Sequence, residues 1–239
     1  YGLSSIVGRL VTFVFLTPYL TRRFVPEEMG VQTDLYAWAA FLMVLFSYRM
    51  ETALFRYGKD KEHRGEVFAT AQRAIVTSSL VLVGLLVLFS DTLASWLEYE
   101  GKGRYVVYFA CILALDALAA LPFARLRLEG KARRFAAIKI ANLLIQLLSL
   151  LFLLEVLPFT SLFDASMRID YIFIANLFAS GGTLLLLAPQ WRVSEGMYDG
   201  ERLRRMLRYV APLTLAAFAG IINEVLDRVL LKMLLTGDL

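Results

Sequence analysis

The sequence predicts an all-α protein built as a polytopic bundle of transmembrane helices. Hydrophobic residues make up 59% of the chain, charged residues only 19%, and the mean hydropathy is +0.63. Seven apolar segments follow one another, each near the ~20 residues that a spanning helix requires, at about residues 3–20, 35–55, 69–89, 105–123, 135–157, 169–188 and 209–235. Because none of them alternates apolar and polar residues as the strands of a membrane barrel do, the segments are expected to be helices.

The gaps between the segments carry an uneven distribution of Lys and Arg. Sixteen of the 25 basic residues lie in or next to the gaps after the second, fourth and sixth segments, against five in the other gaps. Short cytoplasmic loops are enriched in Lys and Arg, so this bias predicts that the amino end and the basic gaps lie in the cytoplasm. The same bias accounts for the net charge of +4, and we therefore expect no nucleic acid as a partner.

Residues that metal sites and nucleophilic enzymes need are scarce. Cys111 is the only cysteine and His63 the only histidine. One thiol cannot form a disulfide within the chain, and one imidazole cannot build a metal site or a His-based nucleophile pair by itself. We therefore expect neither a metal nor a cofactor.

Charged residues inside the apolar segments are the strongest functional signal in the sequence. The ones that indicate a site are Arg9 in the first segment, Arg49 and Glu51 at the end of the second with Arg56 directly after it, and Asp116 near the middle of the fourth. A helix that begins at residue 34 reaches Arg49 after about 22 Å, still inside a hydrocarbon core about 30 Å thick. Arg49 and Arg56, seven positions apart, would share one face of that helix. Intramembrane charges are costly and usually mark pathways, so these residues predict a polar cavity.

The balance of these charges indicates the ligand. Three arginines against two carboxylates leave one positive charge over, and guanidinium groups suit phosphate oxygens well. We therefore predict that Arg9, Arg49 and Arg56 bind an anionic substrate; a purely structural network of the same charges is the alternative. The amides of Asn142 and Gln146 in the fifth segment and of Asn176 in the sixth are expected to form hydrogen bonds between helices, with contact to the substrate as the alternative.

The seventh segment carries a polar group of its own, Asn223, Glu224, Asp227 and Arg228, in which Glu224 and Arg228 are four residues apart as in a helical salt bridge. This group either lines the wall of a polar cavity or forms an internally paired cluster at a helix contact, and the sequence favours neither. Together with Glu51 and Asp116, the amide and the two carboxylates of this group are expected to balance charge or to couple an ion, Na⁺ or H⁺.

Five motifs spread along the chain point to one family. They are YGLSSIVGRL at 1–10, YLTRRFVPEEMGV at 19–31, METALFRY at 50–57, PFARLRLEGKARRF at 122–135 and DRVLLK at 227–232. With these motifs the whole chain resembles the polysaccharide flippases. That family belongs to a superfamily that also holds multidrug and toxin extruders and lipid II flippases.

The resemblance implies a fold and a function. The fold is two pseudo-symmetric bundles of six helices, of which this chain would supply the first at 1–190, a cytoplasmic amphipathic linker at 191–208, and the first helix of the second at 209–239. A simple solvated linker at 191–208 is the alternative. Because the chain begins at Tyr1 without a methionine and ends directly after an apolar helix, we expect it to be a fragment. The implied function is export of undecaprenyl-pyrophosphate-linked oligosaccharide across the bacterial inner membrane, for surface polysaccharides such as the O-antigen of lipopolysaccharide.

Two other functions stay open at this point. A drug or cation extruder of the same superfamily is one, although an excess of arginine over carboxylate would repel a cation. A membrane-embedded polymerase or ligase of polysaccharide synthesis is the other, although the gaps on the outer side are short and lack histidine. We expect a transporter and not an enzyme, with lipid-linked oligosaccharide, the bilayer and a coupling ion as its partners.

Overall fold

Helices account for almost every residue that the computed structural model describes. It describes residues 10, 12–97, 99–160, 167–191 and 198–236, with side chains at all of these except 12, 13, 27 and 223–236. The α-helices in these ranges are α1 Thr17–Arg23, α2 Pro26–Ser47, α3 Met50–Tyr57, α4 Arg64–Leu88, α5 Ser90–Trp96, α6 Gly103–Leu128, α7 Ala132–Leu151, α8 Arg168–Trp191 and α9 Gly200–Thr236. Short π-helical turns precede α1 and follow α7, and a 3₁₀ turn comes next, at Thr12–Leu16, Phe152–Val156 and Leu157–Phe159. These ranges contain no strand, which confirms the all-α class.

The described helices form a multi-pass membrane protein. Six stretches are long and apolar enough to cross a membrane: Glu28–Tyr57, Arg64–Leu88, Gly103–Leu128, Ala132–Phe159, Arg168–Trp191 and Gly200–Ile222. They correspond to the second to seventh apolar segments, whereas the first segment, 3–20, is described only in part. Leu80, Leu88, Leu185 and Leu215 are each at least 70% exposed. An exterior with so many exposed leucines suits lipid and not water.

The central helix of the bundle is α6, which packs against α2, α3, α4, α5, α7 and α8. At the end where α6 and α8 begin, Phe173 of α8 is fully buried and meets Tyr105 and Phe109 of α6 edge to face, with ring centroids 5.4 and 5.0 Å apart. Tyr36 of α2 joins the cluster through a T-shaped contact with Phe109. Such pairs each contribute about 0.5–1.5 kcal/mol beyond area burial, so this cluster fixes α2, α6 and α8 relative to one another.

We call the end of the bundle where α3 and α6 end, and α4 and α7 begin, the basic end. Here α9 packs against α2, α3 and α4, with Met206 and Val210 buried. Arg202 forms an ion pair with Glu66 of α4, with 2.8 Å between nitrogen and oxygen. Because α9 begins at Gly200 and continues to Thr236, residues 200–208 of the predicted linker and residues 209–236 of the predicted last helix belong to one helix.

The second apolar segment is not one uninterrupted helix, which corrects the sequence prediction. Tyr48 and Arg49, between α2 and α3, both have left-handed backbones, with φ of 31° and 55°. This conformation costs an ordinary residue roughly 1–2 kcal/mol, and no glycine or proline marks it in the sequence. The break allows α3 to bury Met50 and Ala53 completely against its neighbours. Arg49 and Arg56 therefore do not lie on one continuous helix face.

Candidate substrate cavity

A cavity of about 590 Å³ lies among α2, α3, α6, α7 and α8. Its lining is polar and charged over a large part of its surface, which is unusual inside a bundle with an apolar exterior. The polar groups on its wall belong to Ser47, Arg49, Glu51, Asp116, Arg127, Lys139, Asn142, Asn176, Ser180 and Thr183.

One stripe of α6 forms the long wall of the cavity. Asp116, Ala119, Ala120, Phe123 and Arg127 all line it, at relative positions 0, 3, 4, 7 and 11. This spacing places the five side chains along a single helix face. The small alanines leave room between the carboxylate and the guanidinium, so the stripe carries opposite charges at its two ends with space for a ligand between them.

The cavity wall carries three cations. Arg49 reaches it from the break between α2 and α3, Arg127 from the last turn of α6, and Lys139 from α7. The Arg127 guanidinium lies 5.0 Å from the ring centroid of Phe135, and the Lys139 ammonium lies 4.4 Å from that of Phe123. The two rings pack edge to face at 5.2 Å. Because a cation over an aromatic face gains about 0.5–2 kcal/mol, the ring pair helps to hold both cations at the wall.

None of the three cations forms an ion pair with another residue that the structure describes. The two carboxylates on the wall, Glu51 and Asp116, are likewise outside the ion pairs of the described residues, so the five charges sum to +1. Cations without a direct ion pair inside a membrane are costly. This arrangement therefore attracts a negatively charged group from outside the bundle.

The wall between α7 and α8 is held by hydrogen bonds of Asn142. Its amide nitrogen donates to the backbone oxygen of Ala179 at 3.1 Å and to the hydroxyl oxygen of Thr183 at 2.8 Å. Beside it, the Ser180 hydroxyl donates to a carboxylate oxygen of Asp116 at 2.7 Å, which joins α8 to α6. The prediction that Asn142 bonds between helices is confirmed.

The structure brings some of the predicted site residues together and separates others. Arg49, Glu51 and Asp116 line the same cavity. Arg56 does not line it: its guanidinium lies 4.3 Å from the ring centroid of Tyr209, where it joins α3 to α9. That any of these side chains binds substrate stays a prediction.

Five further predicted residues fall outside what the structure describes. Arg9 lies before the described part of the chain, and Asn223, Glu224, Asp227 and Arg228 lie within α9 at positions whose side chains are not described. Their predicted roles in substrate binding, charge balance or ion coupling are unchanged by the structure.

Arg127 and Lys139 are the cavity residues that the sequence analysis missed. Both count as topology charges in the sequence prediction, Arg127 because the fourth segment is predicted to end at 123 and Lys139 because it lies only one turn inside the fifth segment. In the structure α6 extends to Leu128 and α7 begins at Ala132, so both side chains lie on helices. Arg127 lies three turns after Asp116 on the same helix face. This spacing would have indicated a cavity residue if the fourth helix had been predicted to extend beyond 123.

The comparisons with known proteins give the family. Residues 1–238 match the model of a family described as polysaccharide biosynthesis protein. Neither the curated proteins nor the solved structures include a match to the chain. The family match extends over all five sequence motifs and over the helices that line the cavity, and for that reason the chain belongs to the polysaccharide biosynthesis protein family.

Proposed function

We propose that this protein is a flippase that moves undecaprenyl-pyrophosphate-linked oligosaccharide across the bacterial inner membrane. The observation that carries the proposal is the set of cavity cations, Arg49, Arg127 and Lys139, which have no ion-pair partner among the described residues. Pyrophosphate is the anion that these groups suit best, because guanidinium groups bind phosphate oxygens in a bidentate manner and an ammonium adds a point charge. In a polysaccharide biosynthesis protein, the substrate that contains a pyrophosphate group is a lipid-linked sugar.

The basic end is assigned to the cytoplasm in this proposal, with the amino end on the same side. The support is the excess of Lys and Arg in the gaps at that end. The pyrophosphate would then enter the cavity from the inner leaflet, close to Arg49 and Arg127, while the lipid tail stays in the bilayer. Release to the outer leaflet requires alternating access, for which rocking against a second bundle is the usual route.

The function is transport and not catalysis in this proposal. Electrostatic binding by Arg49, Arg127 and Lys139 accounts for the cavity without any bond being made or broken. Glu51 and Asp116 limit the positive charge, and one of them couples Na⁺ or H⁺ to the return step. Extrusion of a cationic drug is disfavoured, since the described lining has more cations than carboxylates.

Flipping in proteoliposomes tests the proposal. The protein as its complete gene encodes it would be reconstituted with a fluorescent undecaprenyl-pyrophosphate-linked sugar, and the labelled lipid reaching the other leaflet would be measured with a membrane-impermeant quencher. We expect the double variant Arg127→Gln, Lys139→Gln to lower the flipping rate at least tenfold, because each charge-assisted hydrogen bond contributes about 1.5–3 kcal/mol.

The matched control is Arg133→Gln, Arg134→Gln. These two cations lie in the first turn of α7, are exposed and do not line the cavity, so their loss removes the same net charge without touching the site. A wild-type rate equal to that of protein-free vesicles would refute flipping. Equal rates in the cavity variant and the control would refute the assigned role of the cations.

A further inference from the structure

The polar groups of the cavity are sorted along its length. Arg49 and Arg127 lie at its basic end, next to the last residues of α2 and α6. Asp116 lies eleven residues earlier on α6, about 16 Å away along the helix axis. On α7 the same order holds, because Asn142 comes one turn after Lys139 on the way towards the opposite end.

At the basic end of the cavity hydrogen-bond donors outnumber acceptors, because Arg49 and Arg127 lie there with the single carboxylate of Glu51 and the hydroxyl of Ser47. Guanidinium and ammonium groups donate and have no acceptor atom, so Arg49, Arg127 and Lys139 match a ligand group that only accepts. Pyrophosphate is such a group. It carries negative charge and, when fully ionised, has no hydrogen to donate.

The wall at mid-depth has the reverse character because the donors of Asn142 and Ser180 are already used. An amide nitrogen carries two hydrogens, and Asn142 donates to both Ala179 and Thr183. Its oxygen remains as an acceptor. The Ser180 hydroxyl has given its one hydrogen to Asp116, which leaves the serine oxygen and the carboxylate as acceptors.

Asn176 extends this wall away from the basic end. It lies four residues, one helical turn, before Ser180 on α8 and lines the cavity. Its amide nitrogen donates to the Tyr36 hydroxyl at 2.8 Å, so its amide oxygen is a further acceptor. Two amide oxygens, a hydroxyl oxygen and a carboxylate thus lie on the wall that α6, α7 and α8 form.

From this sorting we infer that the cavity has two subsites, with the pyrophosphate bound at the basic end and the first sugars of the oligosaccharide bound along the acceptor wall of Asn142, Asn176, Ser180 and Asp116. A phosphate at that wall would face acceptors and a carboxylate, whereas sugar hydroxyl and acetamido N–H groups are donors that match it. The inference rests on the proposed function and adds to it the residues that select the glycan.

An acceptor wall also suits a cation, and the charges distinguish the two occupants. Lys139 lies close enough to Asp116 to interact with it electrostatically. A second positive charge placed beside Asp116 would be repelled by that ammonium, whereas a neutral sugar hydroxyl would not.

Binding with and without the glycan tests the inference on the complete protein in detergent. The probes are undecaprenyl pyrophosphate, which has no sugar, and the lipid-linked oligosaccharide extracted from the source cells, which contains the natural glycan. We expect Asn142→Leu to weaken binding of the glycosylated lipid about tenfold, the cost of one to two hydrogen bonds. Its affinity for the bare lipid should stay within about twofold.

A second variant and a control make the result independent of folding. Asn176→Leu should have the same selective effect, although it keeps the contacts between α7 and α8. Gln146→Leu makes the same substitution one turn further along α7, at a side chain that does not line the cavity, and should change neither affinity. Thermal melting of each variant identifies any loss of fold.

The outcomes separate the inference from the proposed function. A wild type that binds neither lipid refutes the flippase. Wild-type binding of both lipids, with both Asn variants lowering the two affinities equally or leaving both unchanged, refutes only the two-subsite arrangement. If Asn142→Leu abolishes a dependence of binding on Na⁺ and leaves the preference for the glycosylated lipid, the wall is a cation site and the inference is overturned.

Discussion

The charges of the cavity and those at the opposite end of the bundle differ in whether they are paired. At the opposite end, Arg104 forms an ion pair with Asp170 at 2.8 Å, and the Asp170 side chain has no exposed surface. Arg23 and the Tyr19 hydroxyl both donate to Glu155, at 2.5 and 2.6 Å. Within the described part of the chain, the cavity cations form no such pair. The comparison teaches that pairing, and not the number of charges, distinguishes groups that hold helices together from groups available to a ligand.

The largest expected effect comes from breaking the pair at the opposite end. Arg104→Ala leaves the carboxylate of Asp170 buried without its cation, which costs about 3 kcal/mol of folding free energy. Denaturant titration in mixed micelles would measure the loss. Adding Asp170→Asn to the same variant removes the orphan charge and should restore most of the stability. A single variant as stable as the wild type would show that the pair is not structural.

Loss of a cavity cation should lower transport more than it lowers stability, and Arg49 provides the clearest test. Arg49→Ala and Arg49→Gly both remove the charge and should lower flipping about tenfold. Glycine, however, adopts the left-handed φ of 55° without the steric cost that alanine bears, so the glycine variant should be more stable than the alanine variant by about 1 kcal/mol. Parallel assays of flipping and unfolding would measure both effects. Equal stabilities would contradict backbone strain at this position.

Much of the fold could be predicted from the sequence because the bilayer imposes a simple rule. An apolar stretch near 20 residues must satisfy its backbone internally, so composition and length alone predict the helices. The cavity carboxylate Asp116 could be found for the same reason, since a charge far inside an apolar run is conspicuous. The membrane class of the protein and the Asp116 part of its cavity can therefore be predicted from the cost of placing polar groups in lipid.

The rest depended on tertiary packing, which leaves little local signal. Nothing in Tyr48 or Arg49 predicts a left-handed backbone; the break goes together with the burial of Met50 and Ala53 of α3, which depends on residues far along the chain. Arg127 and Lys139 resemble ordinary loop cations until the true helix ends are known. Arg56 lies in the same kind of sequence context as Arg49, yet the ring of Tyr209 lies beneath it. A sequence identifies charges near the membrane, but the direction in which each one faces is decided by neighbours far along the chain.

Arg56 tests that last distinction with a smaller effect. Arg56→Ala removes the cation over Tyr209 and should lower stability by about 0.5–1 kcal/mol, while flipping at a temperature where the variant is folded should not change. Tyr209→Leu should cost a similar amount, and a double-mutant cycle would show whether the two losses come from one contact. A fall in flipping that exceeds the loss of folded protein would instead support Arg56 as a substrate ligand, as the sequence predicted.

The smallest effect on stability is expected at a solvent-exposed pair, Asp60 and His63, in the loop between α3 and α4. Nδ1 of His63 lies 3.0 Å from the Asp60 carboxylate, and both side chains are exposed. This hydrogen bond raises the pKa of His63 above its ordinary value of 6.5, and the same contact lowers the pKa of Asp60. A raised His pKa contributes stability that is fully present below about 6.5 and is lost as the pH rises through the folded-state pKa.

Because His63 is the only histidine, its ring signals in an NMR titration report this pair alone. Asp60→Asn should lower the midpoint, whereas Glu62→Gln, which removes only a weaker Coulomb contribution, should lower it less. The stability of the whole protein should hardly change, since exposed ion pairs contribute little. An unchanged midpoint in Asp60→Asn would mean that the two side chains do not form a hydrogen bond in solution. Ion pairs that stabilise this protein would then be found only where the helices bury them.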